Sequence, residues 1–250
     1  MAETTGISWT NRTINPWIGC CKISTGCLNC YAETQENRFG RAVWGPDTER
    51  YKTTTSMGKV RDWNRELASE GKTETVFCAS LSDFFEDNKQ VIPWREEWWD
   101  LIRESKNLDW LILTKRSNKI AEMVPVDFYN GSYSHVHLGV SVENARYTTR
   151  LDDLRAIPNW GGIRWTSMEP LLGPVGPVNL AGIDWAIVGG ETDPSNSYRR
   201  MEDAWVDEIM EQCKKFGTNF FFKQTAGRSG HNSELYKGNL IHNYPKFRGR

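Results

Sequence analysis

The residues best equipped for chemistry lie in the stretch NPWIGCCKISTGCLNCYAE, residues 15–33, which holds four of the six cysteines. Cys20, Cys27 and Cys30 form a Cys-x6-Cys-x2-Cys run, with Cys21 beside the first, on a loop entered through Pro16 and punctuated by Gly19 and Gly26. Thiolates gathered at such spacing hold metal. Three of them on one short loop suit an iron–sulfur cluster with one iron left open, whereas a structural zinc site closes on four ligands. Two other readings stay open at this point. Cys20 or Cys21 could join Cys27, Cys30 and a distant His or Cys around zinc, and in an oxidising compartment two of these cysteines could pair as a disulfide. Residues 1–10 are short and polar, unlike a secretory leader, so free thiols and a cytoplasmic location are expected.

Such a loop needs elements to hold it. Apolar runs at 76–80, 110–114, 136–141, 163–167, 185–188 and 220–222 each read as a buried strand, with one more near Trp17. Helical patterns at 31–40, 60–70, 93–105, 118–123, 144–156 and 202–216 fall between them. In the last, Trp205, Ile209, Cys213 and Phe216 recur at helical spacing, which puts Cys213 on a buried face. Cys78 lies within a strand run, and both are read as core thiols. Strands alternating with helices indicate parallel pairing through right-handed crossovers, hence an α/β barrel or an open doubly wound sheet. With 250 residues and 38% hydrophobic content, the chain suits a single domain, 1–250, carrying an irregular insertion at 41–74 and a Gly/Asn-rich basic tail at 225–250.

Each apolar strand runs into polar residues: SLSD (80–83), LTKR (113–116), GVSVEN (139–144), TSMEP (166–170), VGGE (188–191) and FKQ (222–224). In a parallel barrel these C-terminal ends converge on one face, where barrel enzymes carry their active sites. The cysteine loop follows the first strand and opens on the same face. Taken singly, residues such as Asp83, Asn144 or Gly190 can cap a helix or form a turn. The recurrence of Glu143, Glu169 and Glu191 at equivalent strand ends is something that solvated turns do not require. Paired glutamates also fit a hydrolytic barrel in which the cysteines are incidental.

The formal net charge of −1 gives no global field that would draw the chain to nucleic acid, so any polyanion would need a local patch. The insertion interleaves Arg41, Arg50, Lys52, Lys59, Arg61 and Arg65 with Trp44, Tyr51 and Trp63. That mixture suits phosphates and stacked bases, or equally a solvated loop with anchoring aromatics. The tail sets Arg228, Lys237, Lys246, Arg248 and Arg250 against Glu234 alone. No apolar run reaches the length of a membrane span. The twelve tryptophans are expected mostly in the core.

In succession, NPWIGC, GCLNCYAE, SLSDFF, LTKR, GVSVEN, MEPLLGP, VGGE, RRMEDAWV and FFFKQ resemble, nearly end to end, the phage-borne three-cysteine-motif family, a radical S-adenosylmethionine (SAM)-like group. The superfamily's usual signature is Cys-x3-Cys-x2-Cys. Here the first gap is six residues, and Asn29 stands before the third cysteine where an aromatic is common. Tyr31 is the nearest aromatic and could stack near the adenine or anchor the helix; Cys21 is read as non-ligating.

The resemblance implies an α/β fold, a partial or complete parallel (β/α) barrel of the radical SAM type with six to seven strands. It implies that Cys20, Cys27 and Cys30 bind a [4Fe–4S] cluster whose open iron chelates SAM. An external electron donor then drives cleavage of the sulfonium to a 5′-deoxyadenosyl radical. On this reading Lys115 or Arg116 meets the SAM carboxylate, Ser80, Ser82 or Asp83 meets its amino group, and Glu143 and Asn144 meet the ribose, with Ser141 among the same cofactor contacts. Glu169, Glu191 and Lys223, further round the barrel, are left for substrate. A nucleotide or nucleic-acid base is the expected substrate, and the host cytoplasm the expected location if the chain is phage-encoded. A zinc-stapled nucleic-acid-binding protein and a hydrolytic barrel using paired glutamates are the competing readings.

Overall fold

Successive side chains on a strand point to opposite faces, and here both faces of the main sheet are apolar. The computed structural model describes residues 5–193, 197–228 and 231–247. In chain order its strands are β1 (Arg12–Ile14), β2 (Trp17–Ile18), β3 (Tyr51–Lys52), β4 (Glu74–Cys78), β5 (Leu108–Thr114), β6 (Val136–Ser141), β7 (Arg164–Met168), β8 (Trp185–Gly189), β9 (Asn219–Gln224), β10 (Leu235–Tyr236) and β11 (Asn239–Leu240). The helices are α1 (Tyr31–Arg38), α2 (Ser56–Glu70), α3 (Ile92–Glu104), α4 (Ile120–Met123), α5 (Thr149–Ala156) and α6 (Asp203–Phe216). Seven strands form one parallel sheet in the order β1-β4-β5-β6-β7-β8-β9, a half-barrel that does not close on itself.

The two faces build two cores. Cys78, Ile112, Val140, Met168, Val188 and Phe222 point outward and pack beneath the helices with residues such as Trp98, Leu151 and Ile209. Phe77, Leu111, Trp165, Trp185, Ile187 and Phe221 point inward and are joined by Trp9 and Phe247 from the two ends of the chain. Trp9 stacks edge-on against Phe77 at 4.6 Å, Phe247 meets Trp185 at 5.8 Å, and Tyr244 Oη donates to the Ser8 carbonyl at 3.0 Å. These contacts plug the lower half of the barrel interior, leaving the C-terminal strand ends open. Nine of the twelve tryptophans are buried, and so are Cys78 and Cys213.

Six of the expected strands are present with bounds shifted by a few residues. The seventh differs. The sheet begins with β1, whereas Trp17 lies in β2, which pairs antiparallel with β3. Pro16 stands between them, and a residue without an N–H interrupts the ladder there. The expected helix at 60–70 begins earlier, at Ser56, and ends at Gly71, which takes the left-handed conformation with φ 64°. The expected helix at 144–156 is split into a 3-10 turn over Ala145–Tyr147 and α5. Among the described residues no helix is long and apolar enough to cross a membrane. Arg248 and Arg250 of the basic tail lie outside the described residues.

Gly139 of β6 shows how tightly the inner core is filled. A Cβ there would stand 2.3 Å from the Trp165 ring, which lies flat over the bare backbone. Gly139→Ala should therefore lower stability by about 1–3 kcal/mol through overpacking, read as a reduced urea midpoint. An unchanged midpoint would mean that Trp165 is not seated on β6.

Candidate active site at the mouth of the half-barrel

At the C-terminal strand ends lies a cavity of about 740 Å³, within the range of small-molecule and cofactor sites. Cys20, Cys21, Cys27 and Cys30 line it, and Ser80, Ser82 and Asp83 form the wall after β4. Lys115 and Arg116 enter after β5, Ser141 from β6, Glu169 after β7, Glu191 after β8 and Lys223 from β9. Glu143 and Asn144 are not part of this lining. Asn144 instead caps its own 3-10 turn, its Oδ1 accepting from the Arg146 amide at 3.0 Å.

The cysteine loop crosses the mouth from β1 toward β8. Ser24 Oγ donates to Glu143 Oε1 at 2.5 Å, and the Thr25 amide donates to Tyr147 Oη at 3.0 Å. Asn29 Nδ2 reaches Glu191 Oε2 at 3.1 Å. Glu191 is also ion-paired with Arg199, whose Nη1 donates to the Thr25 carbonyl at 2.9 Å. Glu143 is fully buried, with Arg150 at 2.8 Å and Lys115 at 3.7 Å as counter-charges. Gly26 has no Cβ because one would stand 2.5 Å from Glu143 Oε1. On the near side, the Gly45 amide donates to the Cys20 carbonyl and the Gly19 amide to the Leu81 carbonyl, both at 3.0 Å. Chain order placed Glu191 far from the cysteines, yet it is bonded to their loop. Order along a curved sheet does not measure distance once a loop spans its mouth.

The six cysteines are free thiols. Burial, then Asp83, pushes Cys20 up to about 12, with Arg116 opposing. Burial would also raise Cys27, but Lys115 and the Ser24 hydroxyl outweigh it and hold this thiol below its ordinary value. Cys30 is raised by burial, opposed by the amides of Glu33 and Ala32 at the start of α1. Among the described residues no three His, Cys, Asp or Glu side chains gather closely enough to grip a single ion.

The other strand ends are paired across the cavity. Lys115 Nζ donates to Ser141 Oγ at 3.1 Å, and Lys223 Nζ meets Glu169 Oε1 at 2.8 Å, with Ser167 Oγ donating to the other oxygen at 3.0 Å. Ser80 Oγ is bonded to the Asn15 side chain at 3.1 Å. Ser82 Oγ is buried with no hydrogen-bond partner among the described residues. Asp83 accepts from Thr114 Oγ1 at 2.7 Å and Arg116 Nη1 at 2.9 Å. The insertion's cations are largely spent: Arg50 is buried against Glu86 at 2.8 Å, Lys52 pairs with Glu97 at 2.6 Å, and Arg65 with Asp62 at 3.2 Å. Trp63 is buried beneath Arg12. Sequence reasoning missed Ser24, Tyr147, Arg150 and Arg199 as supports of the loop. No spacing rule links them to it; only Arg199 lay within a stretch carrying the family resemblance.

A parallel half-barrel with a cysteine loop over its C-terminal mouth is the architecture of the radical SAM-type fold. The chain belongs to the family described as Protein of unknown function (DUF5131), whose model matches residues 4–245. No curated protein matches it. Among solved structures, a cysteine-to-alanine variant of spore photoproduct lyase superposes with a TM-score of 0.57 at 9% identity, covering 89% of this chain and 78% of that one. A tyrosine-to-phenylalanine variant gives 0.52 at 12% identity, covering 93% and 70%. A double variant with bound AdoMet and dinucleoside spore photoproduct gives 0.51 at 10% identity, covering 86% of this chain and 64% of that one. At such identities the likeness is one of fold, and this chain spans less than two thirds of the length of the ligand-bound lyase.

The two glutamate anchors should behave differently. Glu143→Ala strands the buried Arg150 and should cost about 3–5 kcal/mol in urea unfolding. Burial would raise the pKa of Glu191, but its bonds from Arg199 and Asn29 hold it below the ordinary carboxylate value. The Glu191 anchor is then complete above the ordinary range and is lost as pH falls through the lower folded value. Proteolytic nicking within residues 22–30 should accelerate in the native protein only once the pH falls below the ordinary carboxylate range. In Glu191→Ala it should be fast at neutral pH; equal resistance of both proteins at pH 7 would remove Glu191 as an anchor.

Proposed function

We propose that the protein is a radical SAM-type enzyme in which Cys20, Cys27 and Cys30 hold a [4Fe–4S] cluster, with SAM beside it and a nucleotide or nucleic-acid base deeper in the cavity. The observation that carries this reading is that the three cysteines of one short run all line the mouth of the half-barrel. The residues present fit the group. Three thiols of one short run line a single cavity, a donor set that suits a cluster with one iron left open. The unpartnered Ser82 hydroxyl in the cavity wall also calls for a polar ligand.

When bound, the cluster and SAM would supply one-electron reduction of the sulfonium, with the electron coming from an external donor. The chain's own residues orient and neutralise. Lys115, steered by Ser141, presents a positive charge suited to the SAM carboxylate, and Ser80 and Ser82 present hydroxyls to its amino group. Asp83 and Arg116 are occupied with each other, and Glu143 and Asn144 with the loop and its flanking turn. Glu169 and Lys223, paired at 2.8 Å on the far wall, can hold or pass a proton at the substrate. The aromatic floor excludes water from this end of the cavity.

A nucleic-acid substrate is supported by the rim. Phe39 and Tyr51 are exposed, and the Arg41 guanidinium, ion-paired through one nitrogen with the buried Glu36 at 2.8 Å, lies over both rings at 5.8 and 4.9 Å, beside the cavity wall formed by Tyr31, Arg38 and Trp44. A guanidinium among exposed rings suits bases and phosphates of a single strand. One fold neighbour carries a bound dinucleoside. The hydrolytic reading finds less support, because Glu143 is bonded to Arg150, Glu191 to Arg199 and Glu169 to Lys223, and the first two also hold the cysteine loop, so none is paired with a second carboxylate.

Anaerobic reconstitution tests the site. The wild-type chain should take up about four irons and matching sulfide. Cys20→Ala, Cys27→Ala and Cys30→Ala should each lose the brown colour, while Cys21→Ala, Cys78→Ala and Cys213→Ala keep it. One zinc per chain with no sulfide would overturn the proposal. For substrate, Phe39→Ala and Tyr51→Ala should each weaken binding of a single-stranded oligonucleotide by about 1–3 kcal/mol in fluorescence anisotropy. Unchanged affinity would remove the rim as a stacking platform.

A further inference from the structure

Arg116 has the charge for a SAM carboxylate, but its guanidinium is turned to the cysteine loop. Its Nη1 lies 3.6 Å from Cys20 Sγ and its Nη2 donates to the Cys21 carbonyl at 2.9 Å. The same group is gripped by Asp83 at 2.9 Å and faces Glu86 at 3.8 Å. Neither carboxylate is free to move away. Asp83 is fixed by Thr114 Oγ1 at 2.7 Å and by the Phe85 and Lys115 amides at 3.0 and 3.1 Å. Glu86 is held by the buried Arg50 through two bonds of 2.9 and 2.8 Å. Arg50, Glu86, Arg116 and Asp83 thus form a chain of alternating charge in which Arg116 meets the Cys20 sulfur.

The three cysteines of the run are served differently. Cys27 has a hydroxyl neighbour, Ser24 Oγ at 3.5 Å, and Cys30 stands at the N-terminal cap of α1. Cys20 has a guanidinium aimed at its sulfur. A donor on a ligating thiolate draws electron density from it, and a fixed positive charge favours the more negative, reduced state of a cluster.

We infer that Arg116 is a positioning residue that holds Cys20 at the cluster and raises the cluster's reduction potential, with Asp83 as its counterweight. This rests on the reading of Cys20 as a cluster ligand. The Arg116 Nη groups are engaged by Asp83, Cys20 and the Cys21 carbonyl, and the residue acts through the sulfur it touches. The two charges should therefore move the potential in opposite directions, which a merely structural role would not do.

The test is an EPR-monitored redox titration of anaerobically reconstituted protein without SAM, comparing wild type with Arg116→Gln, Arg116→Lys and Asp83→Asn. The midpoint should fall in Arg116→Gln, rise in Asp83→Asn, and in Arg116→Lys lie between wild type and Arg116→Gln. Fully loaded Arg116→Gln with the wild-type midpoint would overturn the inference, as would a fall in both Arg116→Gln and Asp83→Asn. Should Arg116→Gln fail to load, Asp83→Asn decides: a rise supports the inference and no shift sinks it. A wild-type chain that takes up no iron and sulfide would instead remove the reading of the site on which the inference stands.

Discussion

Two buried carboxylates carry the geometry of the mouth. Glu143 and Glu191 follow β6 and β8, with β7 between them, and each is held by a guanidinium while accepting a hydrogen bond from the cysteine loop. A carboxylate leaves water only when paired and fully bonded, so each glutamate, its arginine and its loop donor must be in place together. The loop is thereby coupled to a sheet that it does not join by any ladder at these points.

That strap divides the cavity. On one wall stand the cysteines with Lys115 and Arg116, consecutive residues that strand alternation sends in different directions, one to Ser141 and the other to Cys20. On the other stand Glu169 and Lys223. Below both, Trp9, Trp165, Trp185 and Phe221 fill the barrel. The proposed cofactor side thus offers two cations braced by carboxylates, while the proposed substrate side offers a paired acid and base over a dry floor.

The insertion illustrates why composition misleads about surfaces. Its arginines and aromatics read as a nucleic-acid patch, yet Arg50 is buried and bonded on all sides, and Trp63 is core. Lys59, Arg61 and Arg65 lie exposed on α2, while beside the cavity the exposed part is a smaller rim, Phe39, Arg41 and Tyr51. A guanidinium that braces a loop and one that binds a phosphate are the same letter in a sequence.

Periodicity and turn chemistry were sufficient for a parallel α/β architecture, because buried strands leave continuous apolar runs and their polar ends mark one face, but they left a barrel and an open sheet equally possible, and only the family resemblance pointed to a partial or complete barrel. Cys78 and Cys213 were legible as core from their positions within such runs. The cysteine run and the strand-end residues were legible as neighbours on that face, for the same reason. Which strand-end residues line the cavity was not. Glu143 and Asn144 look equivalent to Glu169 in the alternation of chain and chemistry, but the loop path gives Glu143 to Ser24 and Arg150, and local turn geometry gives Asn144 to Arg146. Glu191 meets Asn29, 162 residues away, and Arg116 meets Cys20, 96 residues away. Local pattern specifies which face a side chain takes on its own strand; the partner it finds depends on how a loop crosses the curved sheet, and that is decided only when the chain has folded.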